Sequence, residues 1–112
     1  MPGGGTYFNH SDGYADAGRY IYDIAAESNE QGNFFPLWGT CLGFELLTYL
    51  SADGREHRAH CSSTNQPLPL VFKDDFKSSR MFKGASEEIV KILENEAVTP
   101  NFHQYCVTEK VN

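Results

Sequence analysis

Phe34-Phe35-Pro36-Leu37-Trp38-Gly39-Thr40-Cys41-Leu42-Gly43-Phe44-Glu45-Leu46-Leu47 is the stretch whose reading decides the fold. Residues 34–38 are apolar and too few for a helix, which fits a buried strand, although Pro36 has no N–H to give a sheet ladder. From Leu42 onward, Leu42, Leu46, Leu47 and Leu50 recur at helical spacing, and the pattern stops at Ala52-Asp53-Gly54. Between strand and helix lies Gly39-Thr40-Cys41-Leu42-Gly43, the Gly-x-nucleophile-x-Gly form of a nucleophile elbow with cysteine at its centre. Such a turn brings the backbone on either side of the nucleophile close together, so side chains at 39 and 43 would collide with neighbouring structure. Cys41 then projects from the turn at a helix N-terminus, where unpaired N–H groups and the macrodipole favour a thiolate over a thiol. The N–H of Leu42 can donate to an oxyanion forming on an attacked carbonyl, and the glycine loop Pro2-Gly3-Gly4-Gly5 is the candidate source of a second donor. The plainer alternative makes Cys41 one more small buried residue. The strand before it, the helix after it and the glycines on both sides weigh against that alternative.

Working outward, Ala17, Tyr20, Ile21, Ile24 and Ala25 recur on one helical face, which predicts an amphipathic helix over about 12–29 with Ser11 as its cap and Gly32 past its end. Residues 55–64 are polar, with at most a weak strand. Pro67 and Pro69 bracket the start of the apolar run Leu70-Val71-Phe72, read as a strand. Ser86 before Glu87 and Glu88 suits the start of a third helix with Ile89, Ile92 and Leu93 facing inward, and residues 102–108 form a last strand. Alternating strands and helices predict an α/β arrangement, and a continuous apolar strand at 34–38 fits a parallel sheet covered by helices. Two or three strands make a thin sheet, so the chain reads as an interior segment of a longer α/β domain.

Composition narrows the function classes. The 112 residues are 40% hydrophobic and 21% charged, enough to bury a core. A net charge of −6 without a basic stripe argues against nucleic acid as partner. No apolar run approaches bilayer length, and the first residues lack the regions of a signal peptide, so no membrane role is expected. Cys41, Cys61 and Cys106 are odd in number and lack CxxC spacing, which leaves at least one thiol free. His57 and His60 are three apart with no third ligand at metal spacing, so no zinc site is expected.

The elbow and its flanks, from Phe35 to Leu47, closely resemble the nucleophile segment of gamma-glutamyl hydrolases, folate polyglutamate hydrolases of the class I glutamine amidotransferase-like superfamily. Pro2-Gly3-Gly4 resembles that family's glycine loop, Ser79-Arg80-Met81-Phe82 a segment after its sheet, and Asn101-Phe102-His103 its asparagine-phenylalanine-histidine stretch. The resemblance implies a partial three-layer α/β/α fold with a mainly parallel sheet, residues 1–112 being an internal portion of one domain. It implies that Cys41 is the nucleophile, that Gly4 and Leu42 form the oxyanion hole, and that Glu45 and His103 lie against substrate. The implied reaction cleaves γ-glutamyl bonds of small molecules such as folylpoly-γ-glutamates through a γ-glutamyl thioester, with no cofactor or metal. It further implies a homodimer in the lysosome, vacuole or extracellular space, reached by a leader these residues lack. The family's base histidine sits in a His-Pro-Glu motif, which does not occur here, so this chain alone is expected to be inactive. Two other readings are a glutamine amidotransferase subunit with the same acyl chemistry and a non-catalytic truncated fragment that pairs its sheet edges with another chain.

Overall fold

A computed structural model describes residues 1–4, 8 and 13–110. Its elements are α1 (Tyr14–Glu30), α2 (Leu42–Ser51), β1 (Arg58–Leu68), a short 3-10 helix (Phe76–Ser78), α3 (Glu87–Asn95) and β2 (Thr99–Val107). β1 and β2 pair as a two-stranded antiparallel sheet, so the architecture is α/β as expected. The expected parallel sheet is not among the described elements. Residues 34–38 form no strand, and Phe34 and Trp38 are exposed. Apolar character alone does not make a strand, because the ladder needs a neighbour to accept its bonds. Instead the Asn29 side chain holds this segment, donating to Phe35 O at 2.9 Å and accepting from Phe35 N at 3.0 Å. Met1 also meets this segment: its N–H donates to Trp38 O and its carbonyl accepts from Thr40 N at 3.0 Å, the two bonds bracketing Gly39.

The chain divides into two compact units, Met1–His60 with Tyr105–Asn112, and Cys61–Gln104. In the first, Phe8, Leu42, Leu46 and Leu50 form the buried core, with Met1, Tyr14, Ala15, Tyr22 and Tyr49 packed around it. Leu46 is wholly buried, a contribution of about 2 kcal/mol by apolar area. The α2 stripe therefore faces inward as its spacing predicts. The face of α1 is corrected: Ala25 is buried as expected, but Tyr20, Ile21 and Ile24 are exposed, and the packed side runs through Tyr14, Ala15, Gly18 and Tyr22. Gly18 favours this choice, because a Cβ there would stand 2.5 Å from Leu46 Cδ2 and would force that side chain to shift. Ser11, the expected cap, lies outside the described residues, and Gly13 in the left-handed region precedes the helix. Gly32, at φ +83°, follows its end as expected.

In the second unit Ser86 caps α3, its Oγ accepting from Ile89 N at 3.2 Å. The inward residue is Val90, whereas Ile89 is exposed, which corrects the expected face. Residues 70–72 form no strand; Leu70 N donates to Leu93 O at 2.7 Å, and Phe72 stacks on Phe76 at 4.2 Å and meets Phe82 edge-on at 5.1 Å. β1, a polar eleven-residue strand, is longer than the weak strand expected there. Cys61 and Cys106 are disulfide-bonded and Cys41 is free. Among the described residues no helix is long and apolar enough to cross a membrane.

Candidate active site

Cys41 is the residue immediately before α2, with φ 54° and ψ −115°. A side-chain-bearing residue in that region costs on the order of 1–3 kcal/mol, which the surrounding structure must hold in place. Three glycines do so by leaving room for backbone. A Cβ on Gly39 would lie 2.4 Å from Gly43 O, one on Gly43 would lie 2.2 Å from Met1 O, and one on Gly3 would lie 2.7 Å from Cys41 Cβ. Hydrogen bonds from Gly43 N to Thr40 O at 2.9 Å and from Glu45 N to Cys41 O at 3.1 Å close the first turn. Cys41 is exposed, so the kink holds the thiol at the surface instead of in the core.

The glycine loop lies against this turn, since Gly3 has no room for a side chain beside Cys41 and Thr40. Gly4 follows at φ +100°, in the left-handed region. Tyr14, at the start of α1, donates its hydroxyl to Pro2 O at 2.6 Å and so ties the loop to the helix. Burial pushes the Tyr14 hydroxyl up, and the charges of Cys41 and Glu45 push it the same way. Leu42 is buried and opens α2, so its N–H is one that a helix leaves without an intrahelical partner.

Glu45 is buried in α2 one turn after Cys41 and pairs with Arg58 at 3.2 Å. Arg58 is the first residue of β1 and also meets Glu56, Nε to Oε1 at 2.9 Å and Nη2 to Oε2 at 2.8 Å. Hydrogen bonds from Arg58 hold the Glu56 carboxyl below the usual carboxylate range, and Glu56 in turn raises the Arg58 guanidinium. Sequence reasoning missed both Arg58 and Tyr14. A single arginine in a polar stretch and a tyrosine at a helix start carry no local signal. The first unit thus brings together Gly3, Cys41, Leu42, Glu45 and, through Pro2, Tyr14. His103 belongs to the second unit, on β2, where its N–H donates to Ser63 Oγ at 3.1 Å. Among the described residues no group of three or more His, Cys, Asp or Glu side chains is placed to hold a metal ion.

No protein-family model matches the chain. Among curated proteins, the gamma-glutamyl hydrolase of Rattus norvegicus is 41% identical over 111 residues, 98% of this chain and 34% of that protein. That of Homo sapiens is 35% identical over 110 residues, again 98% of this chain and 34% of the relative. Gamma-glutamyl hydrolase B of Dictyostelium discoideum is 31% identical over 108 residues, 96% of this chain and 31% of the relative. The chain spans about a third of the length of the curated relatives it matches. These homologues bear out the family resemblance read from the sequence.

Proposed function

We infer, from homology to gamma-glutamyl hydrolases along almost the whole of this chain, that it carries the nucleophile segment of an enzyme that hydrolyses γ-glutamyl bonds. The observation that supports this most is the backbone of Cys41, an exposed thiol at φ 54° between glycines that admit no side chain. Cys41 Sγ attacks the γ-carbonyl carbon of a glutamyl amide. The negative charge that develops on the carbonyl oxygen is met by the N–H of Leu42 and by the loop at Gly4. The C–N bond breaks, the departing amine takes up a proton, and a γ-glutamyl thioester stays on the sulfur. Water then adds to the thioester, releasing the γ-carboxylate and restoring the thiol. In the first unit Glu45 is the proposed substrate-side residue, and folylpoly-γ-glutamates are the substrate class.

The chain fits this role as an internal portion of a class I glutamine amidotransferase-like domain, in which residues 34–38 would take their place as a parallel strand. The Met1 bonds around Gly39 favour that arrangement, since they follow the parallel pattern. A disulfide at Cys61 and Cys106 favours an oxidising compartment, in keeping with a lysosomal or secreted enzyme. The test is turnover of a γ-glutamyl peptide by the full-length enzyme of which these residues are proposed to be an internal portion, and by its Cys41→Ala variant. Loss of all measurable hydrolysis in the variant is expected, and retained hydrolysis would contradict the reading.

A further inference from the structure

Arg58 and Glu45 are both buried, at 8% and 9% exposure, and neither side chain belongs to the elbow itself. Glu56 alone already gives Arg58 a two-point carboxylate partner, and the guanidinium also sits 4.1 Å from the Phe8 ring and 5.3 Å from that of Tyr105. Arg58 is therefore a braced cation, fixed by a fork and two rings, with Nη1 left to point at Glu45. Glu45 needs that partner because an ionised carboxylate at this depth is costly when uncompensated. It also lies one helical turn from Cys41, whose carbonyl its own N–H engages. A bare negative charge one turn away repels the negative charge that an attacking sulfur carries.

Resting on the reading of Cys41 as nucleophile, we propose that Arg58, braced by Glu56, is a positioning residue that offsets the Glu45 charge one helical turn from Cys41 and so preserves the reactivity of the thiol. Two further observations agree. The Tyr14 hydroxyl, bonded to the glycine loop, feels the charges of both Cys41 and Glu45, so the two act on one small region. Arg58 sets one positive charge between two carboxylates, and of the two it is Glu45 that lies on the helix opening at the elbow, so loss of the guanidinium leaves a bare charge there.

The experiment measures the rate at which iodoacetamide, a neutral reagent, alkylates the Cys41 peptide of the folded protein at neutral pH. Arg58→Gln is expected to slow labelling about 3-fold or more, the effect of one uncompensated charge at this range. The double variant Glu45→Gln with Arg58→Gln removes that charge and is expected to return to within about 2-fold of the parent rate. An unchanged rate in Arg58→Gln overturns the proposal. So does a double variant as slow as the single one, since that is the outcome for a residue that only packs. Should Arg58→Gln not fold, Glu45→Gln alone decides: labelling as fast as the parent or faster supports the proposal, and slower labelling overturns it. A parent Cys41 inert when folded but labelled when unfolded would count against the nucleophile reading and the proposal together. A reactive parent with an unaffected Arg58→Gln would count against the proposal alone.

Discussion

Gly43 presents its carbonyl oxygen at the place a Gly39 side chain would need, 2.4 Å from the would-be Cβ. Backbone atoms cannot rotate away as the end of a flexible side chain can. Gly39→Ala is accordingly expected to destabilise the first unit by about 2 kcal/mol and, in the full-length enzyme, to abolish hydrolysis by opening the kink that presents Cys41. Urea unfolding beside a turnover assay checks this. Parent stability with parent activity would show that the turn has slack.

Acid should act on the Arg58 cluster with a definite sign. Arg58 holds Glu56 below its ordinary value of 4.5, so the unfolded chain binds that proton more readily than the folded one. The resulting stability is present above the unfolded value and is lost as pH falls through the lowered folded value. Glu56→Gln is expected to lower the urea midpoint at neutral pH and to narrow the gap to the parent toward about pH 3. Since the Glu56 side chain is 33% exposed, solvent screening keeps the effect below that of a fully buried pair. A gap that stays constant with pH would contradict the assignment.

Ser86 supplies a separate, local test. Its hydroxyl accepts from Ile89 N at the start of α3, and Ser86→Ala is expected to cost about 1 kcal/mol in urea unfolding. Ser86→Asp should recover most of it, because a carboxylate both caps and meets the positive end of the helix. Equal stability of the parent and the Ser86→Ala variant would show that the cap bond contributes nothing.

The parts of the molecule legible in the sequence are those fixed by neighbours along the chain. The elbow is a steric pattern of five residues, the Leu42–Leu50 stripe is one face of one helix, and Ser86 and Gly32 act on the turn beside them. What was not legible depends on partners far away in sequence. α1 carries two apolar stripes, and it is contact with α2, where Gly18 meets Leu46, that goes with Tyr14, Ala15 and Tyr22 packing while Ile21 and Ile24 face out. β1 has the polar sequence Arg-Ala-His-Cys-Ser-Ser-Thr-Asn-Gln-Pro-Leu, whose strand character comes from pairing with β2. Arg58 acquires its meaning only when the fold sets it between Glu45 and Glu56. Residues 34–38 carry the composition of an interior strand without a strand beside them among the described residues, so pattern and pairing part company.

The central claim is a covalent one, that the Cys41 sulfur carries the glutamyl group during turnover. Acid quenching of the full-length enzyme carrying these residues during steady hydrolysis of a γ-glutamyl peptide, followed by peptide mass spectrometry, tests it most directly. The expected result is a glutamyl adduct on the Cys41 peptide that is released by hydroxylamine and is absent from Cys41→Ala. An adduct on any other residue, or undiminished hydrolysis after Cys41 has been fully alkylated, would contradict it.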